Sequence, residues 1–393
     1  MSKWRKKQLQ EIAFLKPTET LKKGDIAPNI PMANIKEFQR DVVKIDYGEF
    51  RGGTKFRNGD TLLAKITPCL ENGKTAFVNC LQEDEIGFGS TEFIVLRAKE
   101  NIDERFLYYL SISPEFRKQA ISLMEGTSGR KRVNENALKI SDFLIPDFEE
   151  QRKIANILSA IDDKIQINNK INQELEAMAK TLYDYWFVQF DFPDQNGNPY
   201  KSSGGKMVYH PELKREIPEG WGVESVGNLL DKVTKAEKIE NNSIEFVGRI
   251  PVIDQSQKYI AGFTNNQNSL IQPQNGHIIF GDHTRVVKFI NFDYARGADG
   301  TQVLISNNEN ISNILLYHMI EDFDLSNYGY ARHFKFLKEK LVIVPDKKIS
   351  LQFANKADVI YKKIRDNIFE NQELTQLRDW LLPMLMNGQV KVE

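Results

Sequence analysis

The chain has 393 residues, 41% hydrophobic and 27% charged, with 53 Lys plus Arg against 54 Asp plus Glu for a net charge of −1. That size and apolar content allow two or three domains with cores of their own, and the near-neutral balance excludes a polycation that coats nucleic acid by bulk charge. Cys69 and Cys80 are the only cysteines, with no CxxC pair and no histidine cluster nearby, so they read as packing residues and neither a disulfide framework nor a zinc site is expected. Apolar runs stop well short of the roughly 18 residues that span a bilayer, and "MSKWRKKQ" lacks the apolar stretch of an export signal. A cytoplasmic protein without membrane contact is the expectation.

In chain order, residues 1–146 read as an α+β globule, with short β-rich runs such as "TEFIVLR" (Thr91–Arg97) between Gly, Asn and Asp turns. Residues 147–190 read as one long helix. Ile154, Leu158, Ile161, Ile165, Asn168, Asn172, Leu175, Ala179, Leu182 and Trp186 step by 4 and 3 without a slip, the seam of a helix laid on a partner helix. Residues 191–216 form a linker, and within it "FPDQNGNPYKSSGGK" (Phe192–Lys206) reads as a loop. A second α+β globule follows over 217–344, with "GHIIFGD" (Gly276–Asp282) and "KLVIVP" (Lys340–Pro345) as strands. A second helix over 345–391 repeats the seam through Phe353, Ala357, Ile360, Ile364, Asn367, Asn371, Leu374, Arg378, Leu381 and Leu385. Pro383 removes an N–H and is expected to bend or end that helix.

The halves repeat one another. "NQEL" stands at Asn172 and at Asn371, and "PD" at Pro146 and at Pro345, both at an offset of 199 residues (371 less 172, 345 less 146). So long a period is a duplication of whole domains, not a solenoid. The globules share a fainter skeleton: Trp4 matches Trp221, "NGDTLL" at Asn58 matches "NGHIIF" at Asn275, "STEFIVLR" matches "GTQVLIS", and "FLYYL" at Phe106 matches "LLYHM" at Leu315. Each helix is the economical partner of the other. Asn168 with Asn172, and Asn367 with Asn371, put consecutive amides mid-seam, where a facing polar group must satisfy them, and so are read as setting the register.

The order globule, helix, globule, helix, with "IPDFEEQRKIANILSAIDDKI" closing the first globule and "IPEGW" (Ile217–Trp221) opening the second, resembles the specificity subunit of type I restriction-modification systems over nearly the whole chain. The first half departs from the pattern by lacking the "IPEG" lead-in and starting at "KW". The resemblance implies two similar target-recognition domains joined by two long helices packed as an antiparallel coiled coil, with internal pseudo-two-fold symmetry. It implies a non-catalytic chain that reads one half of a split target in double-stranded DNA with each domain, and partners comprising two methyltransferase subunits and restriction subunits. S-adenosylmethionine, ATP and Mg would then be cofactors of those partners, with none in this chain. The alternatives are a coiled-coil scaffold and the specificity half of another DNA methyltransferase system.

DNA contact needs cations for phosphates and Arg, Asn or Gln for base edges. "GTSGRKRVN" offers Arg130, Lys131 and Arg132, and "YGYARHFK" offers Arg332, His333 and Lys335 at nearly the same repeat position, since 332 less 199 is 133. The competing reading of each is a solvated turn. Lys65, Lys74, Arg285 and Lys288 are weaker candidates, because strand lysines often serve only to protect an edge. Enzyme motifs fail: "NPY" at Asn198 lies in the linker, Asp162 and Lys164 of a nuclease-like pattern sit on a seam helix, and no Walker A loop is present.

Overall fold

The computed structural model describes residues 4–391 apart from 43, 128, 232, 234–235, 298–299 and 330–331. Ser128, Tyr330 and Ala331 of the two basic loops therefore lie outside the described residues. The chain divides into two compact units, residues 1–168 with 370–393, and residues 169–369. Both cuts fall inside a long helix. Where the sequence separates globules from helices, the fold gives each globule half of each helix.

In the first unit, one four-stranded sheet runs in the order Ala13–Leu15, Phe93–Ala98, Thr61–Ala64, Thr75–Phe77, and a second in the order Asp46–Glu49, Ile26–Ile30, Gly87–Gly89, Thr54–Phe56. The "TLLA" strand is buried along its whole length because both faces are covered. Side chains alternate across a strand, so Leu63, Ile94 and Leu96 join the core that holds Phe106, Ile154 and Leu158, while Leu62, Phe93 and Val95 join a second core with Ile30 and Phe56. The helix Glu104–Ile112 starts where Asp103 accepts hydrogen bonds from the amides of Arg105 and Phe106.

Among the described residues, the second unit repeats this frame with one strand fewer. Its sheets run Val287–Ile290, His277–Gly281, Thr301–Leu304, and Gly262–Thr264, Ile250–Ile253, Tyr294–Arg296, Leu270–Ile271. Each unit contains a parallel strand pair, Ile26–Ile30 with Gly87–Gly89 and Ile250–Ile253 with Tyr294–Arg296. The matched tryptophans precede matched strands: Arg5–Gln8 pairs with Asp142–Ile145, and Gly222–Ser225 with Leu341–Val344, the strand that leads into each long helix. The ladders also correct one sequence match. The amide of Lys65 bonds the carbonyl of Glu92 and that of Asp282 the carbonyl of Gly300, so Glu92 corresponds to Gly300 and not to Gln302. A slip of two residues keeps the same face of the strand, which is why the pattern concealed it.

The repeated "PD" is a helix cap. Asp147 accepts from the amide of Glu150 at 3.0 Å and Asp346 from that of Lys348 at 2.7 Å, satisfying donors that the first turn leaves open. The helices span Phe148–Tyr183 and Lys347–Met386, 36 and 40 residues. At 1.5 Å per residue they are about 54 and 60 Å long. The second continues one turn past Pro383, and Leu385 and Met386 beyond the proline are buried. No residue of either predicted seam is exposed. The pairing within each unit is antiparallel, with Asp162 on Arg378 and Asn168 on Asn371 in the first, Asn172 on Asn367 and Trp186 against Phe353 in the second.

The linker is more ordered than its composition predicts. Phe192 stacks on Trp221 at 4.8 Å and on Tyr200 at 4.6 Å, and Met207–His210 forms a hairpin with Arg215–Pro218. Asn198 and Pro199 of "NPY" make a turn held by Asp194. Among the described residues no helix is long and apolar enough to cross a membrane.

Candidate nucleic-acid interface

Each unit presents a basic segment against the end of its central hairpin strand by the same backbone bond. In the first unit the amide of Val133 bonds the carbonyl of Lys65 at 2.9 Å, and in the second the amide of His333 bonds that of Asp282 at 2.9 Å. Val133 therefore corresponds to His333 and Arg132 to Arg332, at an offset of 200 residues. The predicted match between the two basic segments becomes a structural one.

The first loop is tied down at both sides. The amide of Thr67 bonds the carbonyl of Lys131, the amide of Lys131 bonds Oγ1 of Thr67, and Ile66 bridges Arg132. Gly126, at φ +128°, makes the return possible, since a Cβ there would stand 2.9 Å from the carbonyl oxygen of Arg130. Arg130, Lys131 and Arg132 are all exposed. The guanidinium of Arg132 donates from Nε and Nη2 to the two carboxylate oxygens of Glu92, at 2.9 and 2.8 Å. Beside that guanidinium the Glu92 carboxyl titrates below its usual range and stays ionised.

In the second unit Asp282, itself buried, accepts from the amide of Phe334 and so caps the Arg332-led helix His333–Glu339 from a different strand. Thr284, the counterpart of Thr67 in the matched hairpins, donates to the carbonyl of Gln255, and the side chain of Gln255 accepts from the amide of His283. Loops 254–258, 282–285 and 332–335 thus converge. Arg332, Lys335 and Arg285 are exposed there, Arg285 with a left-handed backbone at φ 63°.

Several predicted cations are placed elsewhere. His333 leaves the candidate surface because it fills the core position that Val133 fills in the first unit. Lys288 is buried too: its ammonium donates to the carbonyls of Asp254 and Lys258, clamping the 254–258 loop from beneath. Burial lowers its pKa to about 8, with Asp254 opposing the shift. Lys74 does the same work in the first unit, donating to the carbonyl of Met32 at 3.1 Å. Lys65 lies 3.4 Å from Glu135, which also pairs with Lys16. These lysines shape the loops from inside. Glu92, Thr67, Gln255 and Thr284 also line the candidate surface; extending the matched "NGDTLL" and "NGHIIF" runs by a few residues places Thr67 opposite Thr284.

The mid-seam amides are paired as expected. Asn168 donates to Glu370 at 2.8 Å and to Asn371 at 2.9 Å, and Asn367 donates to Asn172 at 2.8 Å. Asp162 accepts from Arg378 at 2.9 Å and from the Tyr109 hydroxyl at 2.7 Å, which makes it part of the helix pairing and not of a nuclease centre.

Two copies of one α+β module, each presenting an exposed arginine at the same backbone position, define a duplicated protein with two long helices. Residues 1–177 match the type I restriction modification DNA specificity domain. The chain is 26% identical over 320 residues to the type I restriction enzyme MjaIX specificity subunit of Methanocaldococcus jannaschii, covering 75% of this chain and 71% of that one. To the HindI specificity subunit of Haemophilus influenzae it is 24% identical over 411 residues, 85% and 87% of the two chains. To the EcoAI specificity subunit of Escherichia coli it is 40% identical over 231 residues, 53% of this chain and 39% of that one. The crystal structure of a type I restriction-modification S subunit from M. genitalium shares the fold, with a TM-score of 0.56 at 17% identity over 98% of this chain and 96% of that one. Over most of its length the chain is therefore similar to type I restriction-modification specificity subunits.

Proposed function

We infer that this chain is the sequence-reading subunit of a type I restriction-modification complex and that each of its units reads one half of a split duplex target. The observation that carries this is the pair Arg132 and Arg332, set at the same place on two copies of one frame by the same backbone hydrogen bond. A frame repeated with different side chains around a retained arginine suits two half-sites of different sequence. Arg130, Lys131, Lys335 and Arg285, exposed beside them, serve phosphates.

The chemistry belongs to partners. Methyltransferase subunits, two per chain, would bring S-adenosylmethionine, and restriction subunits ATP and Mg, while the paired asparagines fix the register of the helices. The test is a selection of bound duplexes from a randomised pool by the chain assembled with its methyltransferase subunit. Two blocks of fixed sequence separated by a fixed gap are expected. A single block, or none, contradicts the reading, and methyl transfer by the purified chain alone contradicts the assignment of chemistry to partners.

A further inference from the structure

An exposed arginine that serves a phosphate works by its charge, and a carboxylate clamped across it cancels that charge. Glu92 is clamped across Arg132 by two short hydrogen bonds. The pair is also anchored at both ends: Glu92 lies at the head of the strand Phe93–Ala98, with its amide on Oγ of Ser90 and its carbonyl on the amide of Lys65, and Arg132 bridges Ile66. So firm a restraint points to a task of direction.

The donor geometry says which. A guanidinium carries five N–H groups, and Glu92 takes the one on Nε and one on Nη2. Of the three that remain, one on Nη1 and one on Nη2 lie parallel at the tip, the pair that grips the O6 and N7 acceptors of guanine. Holding a long side chain beforehand also removes its ordering cost from the binding step. The second unit has Gly300 at the corresponding position, so the carboxylate of Glu92 has no counterpart there among the described residues.

We propose that Glu92 is a positioning residue for base recognition, holding Arg132 so that its two tip N–H groups meet a guanine edge in the half-site read by the first unit. This rests on the reading of Arg132 as a DNA contact.

The experiment repeats the randomised-duplex selection with the full chain and its methyltransferase subunit, using Arg132→Ala, Glu92→Ala and Glu92→Gln. Arg132→Ala should erase the preference at one G·C pair of one block. Glu92→Ala should lower the preference at that same pair by roughly ten-fold, and Glu92→Gln, which keeps one acceptor, by less. Binding to the unselected pool should be unchanged or tighter, because a negative charge has gone. The block read by the second unit should be retained, which shows that each variant is folded. Full preference at that pair in Glu92→Ala overturns the proposal, as does a change at a different base pair, which would make Glu92 a reader in its own right. If Arg132→Ala alters no base preference, the reading of Arg132 as a base contact fails first and the proposal with it.

Discussion

In the first unit the helix pairing is charged at its joint with the globule, where Tyr109, Asp162 and Arg378 form a buried chain of hydrogen bonds. The second unit has His318, Tyr361 and Ala179 at the corresponding places, the hydroxyl of Tyr361 lying 3.3 Å from Nε2 of His318 and the alanine buried where the arginine stands in its counterpart. One joint is an ion pair with a phenol, the other an aromatic pair with space made by a small residue. The matched basic loops differ in the same way, since Glu92 braces Arg132 and, among the described residues, Gly300 stands where that carboxylate would be in the second unit. Backbone bonds and buried positions are kept in both halves, and the side chains placed on them are exchanged. That division between a fixed frame and a free alphabet suits the proposed reading of two unlike half-sites.

Breaking the charged joint should have the largest effect. Asp162→Ala leaves the buried guanidinium of Arg378 with the exposed Asp379 as its remaining carboxylate, and should cost about 3 kcal/mol in urea unfolding. Importing the other solution, Asp162→Tyr with Arg378→Ala, should recover part of that loss. A joint that tolerates Asp162→Ala at under about 1 kcal/mol would mean that the two are not equivalent supports.

Lys288 sharpens the comparison by pH. Its burial penalty is present in full below pH 8, where folded and unfolded chains both carry the charge. Between about 8 and 10.5 the folded state loses the proton first. Stability then rises with pH. Wild type should gain up to about 3 kcal/mol on Lys288→Met across that window. A flat difference would place Lys288 in contact with water.

The smallest effect belongs to the aromatic joint, where Nδ1 of His318 also lies 2.6 Å from Glu321. Tyr361→Phe removes one hydrogen bond and should cost about 1 kcal/mol, far less than Asp162→Ala at the equivalent position. A larger loss would show that the His318 contact carries the joint.

The helices were legible because their apolar rhythm is a local property of the chain, and the "PD" repeats marked their first turns as well as the period. Lys288 and His333 were misread because each was judged by its own type. The acceptors of Lys288 come from a loop about thirty residues earlier, and His333 occupies a core position that only the match with Val133 reveals. Glu92 escaped for the opposite reason: a search for cations does not stop at a carboxylate, and its partner lies 40 residues away in the chain. The linker misled through composition, since Gly, Ser and Asn outnumber the aromatic residues that fold it onto Trp221.

The central claim is that two equivalent arginines read two separate half-sites, and the most direct measurement is duplex selection by Arg132→Ala and Arg332→Ala complexes side by side. Each change should weaken one block alone, by about 1 to 3 kcal/mol where a base is read, with Arg132→Ala and Arg332→Ala affecting different blocks. Both variants degrading the same block, or both weakening all duplexes alike, would contradict the assignment of one half-site to each unit.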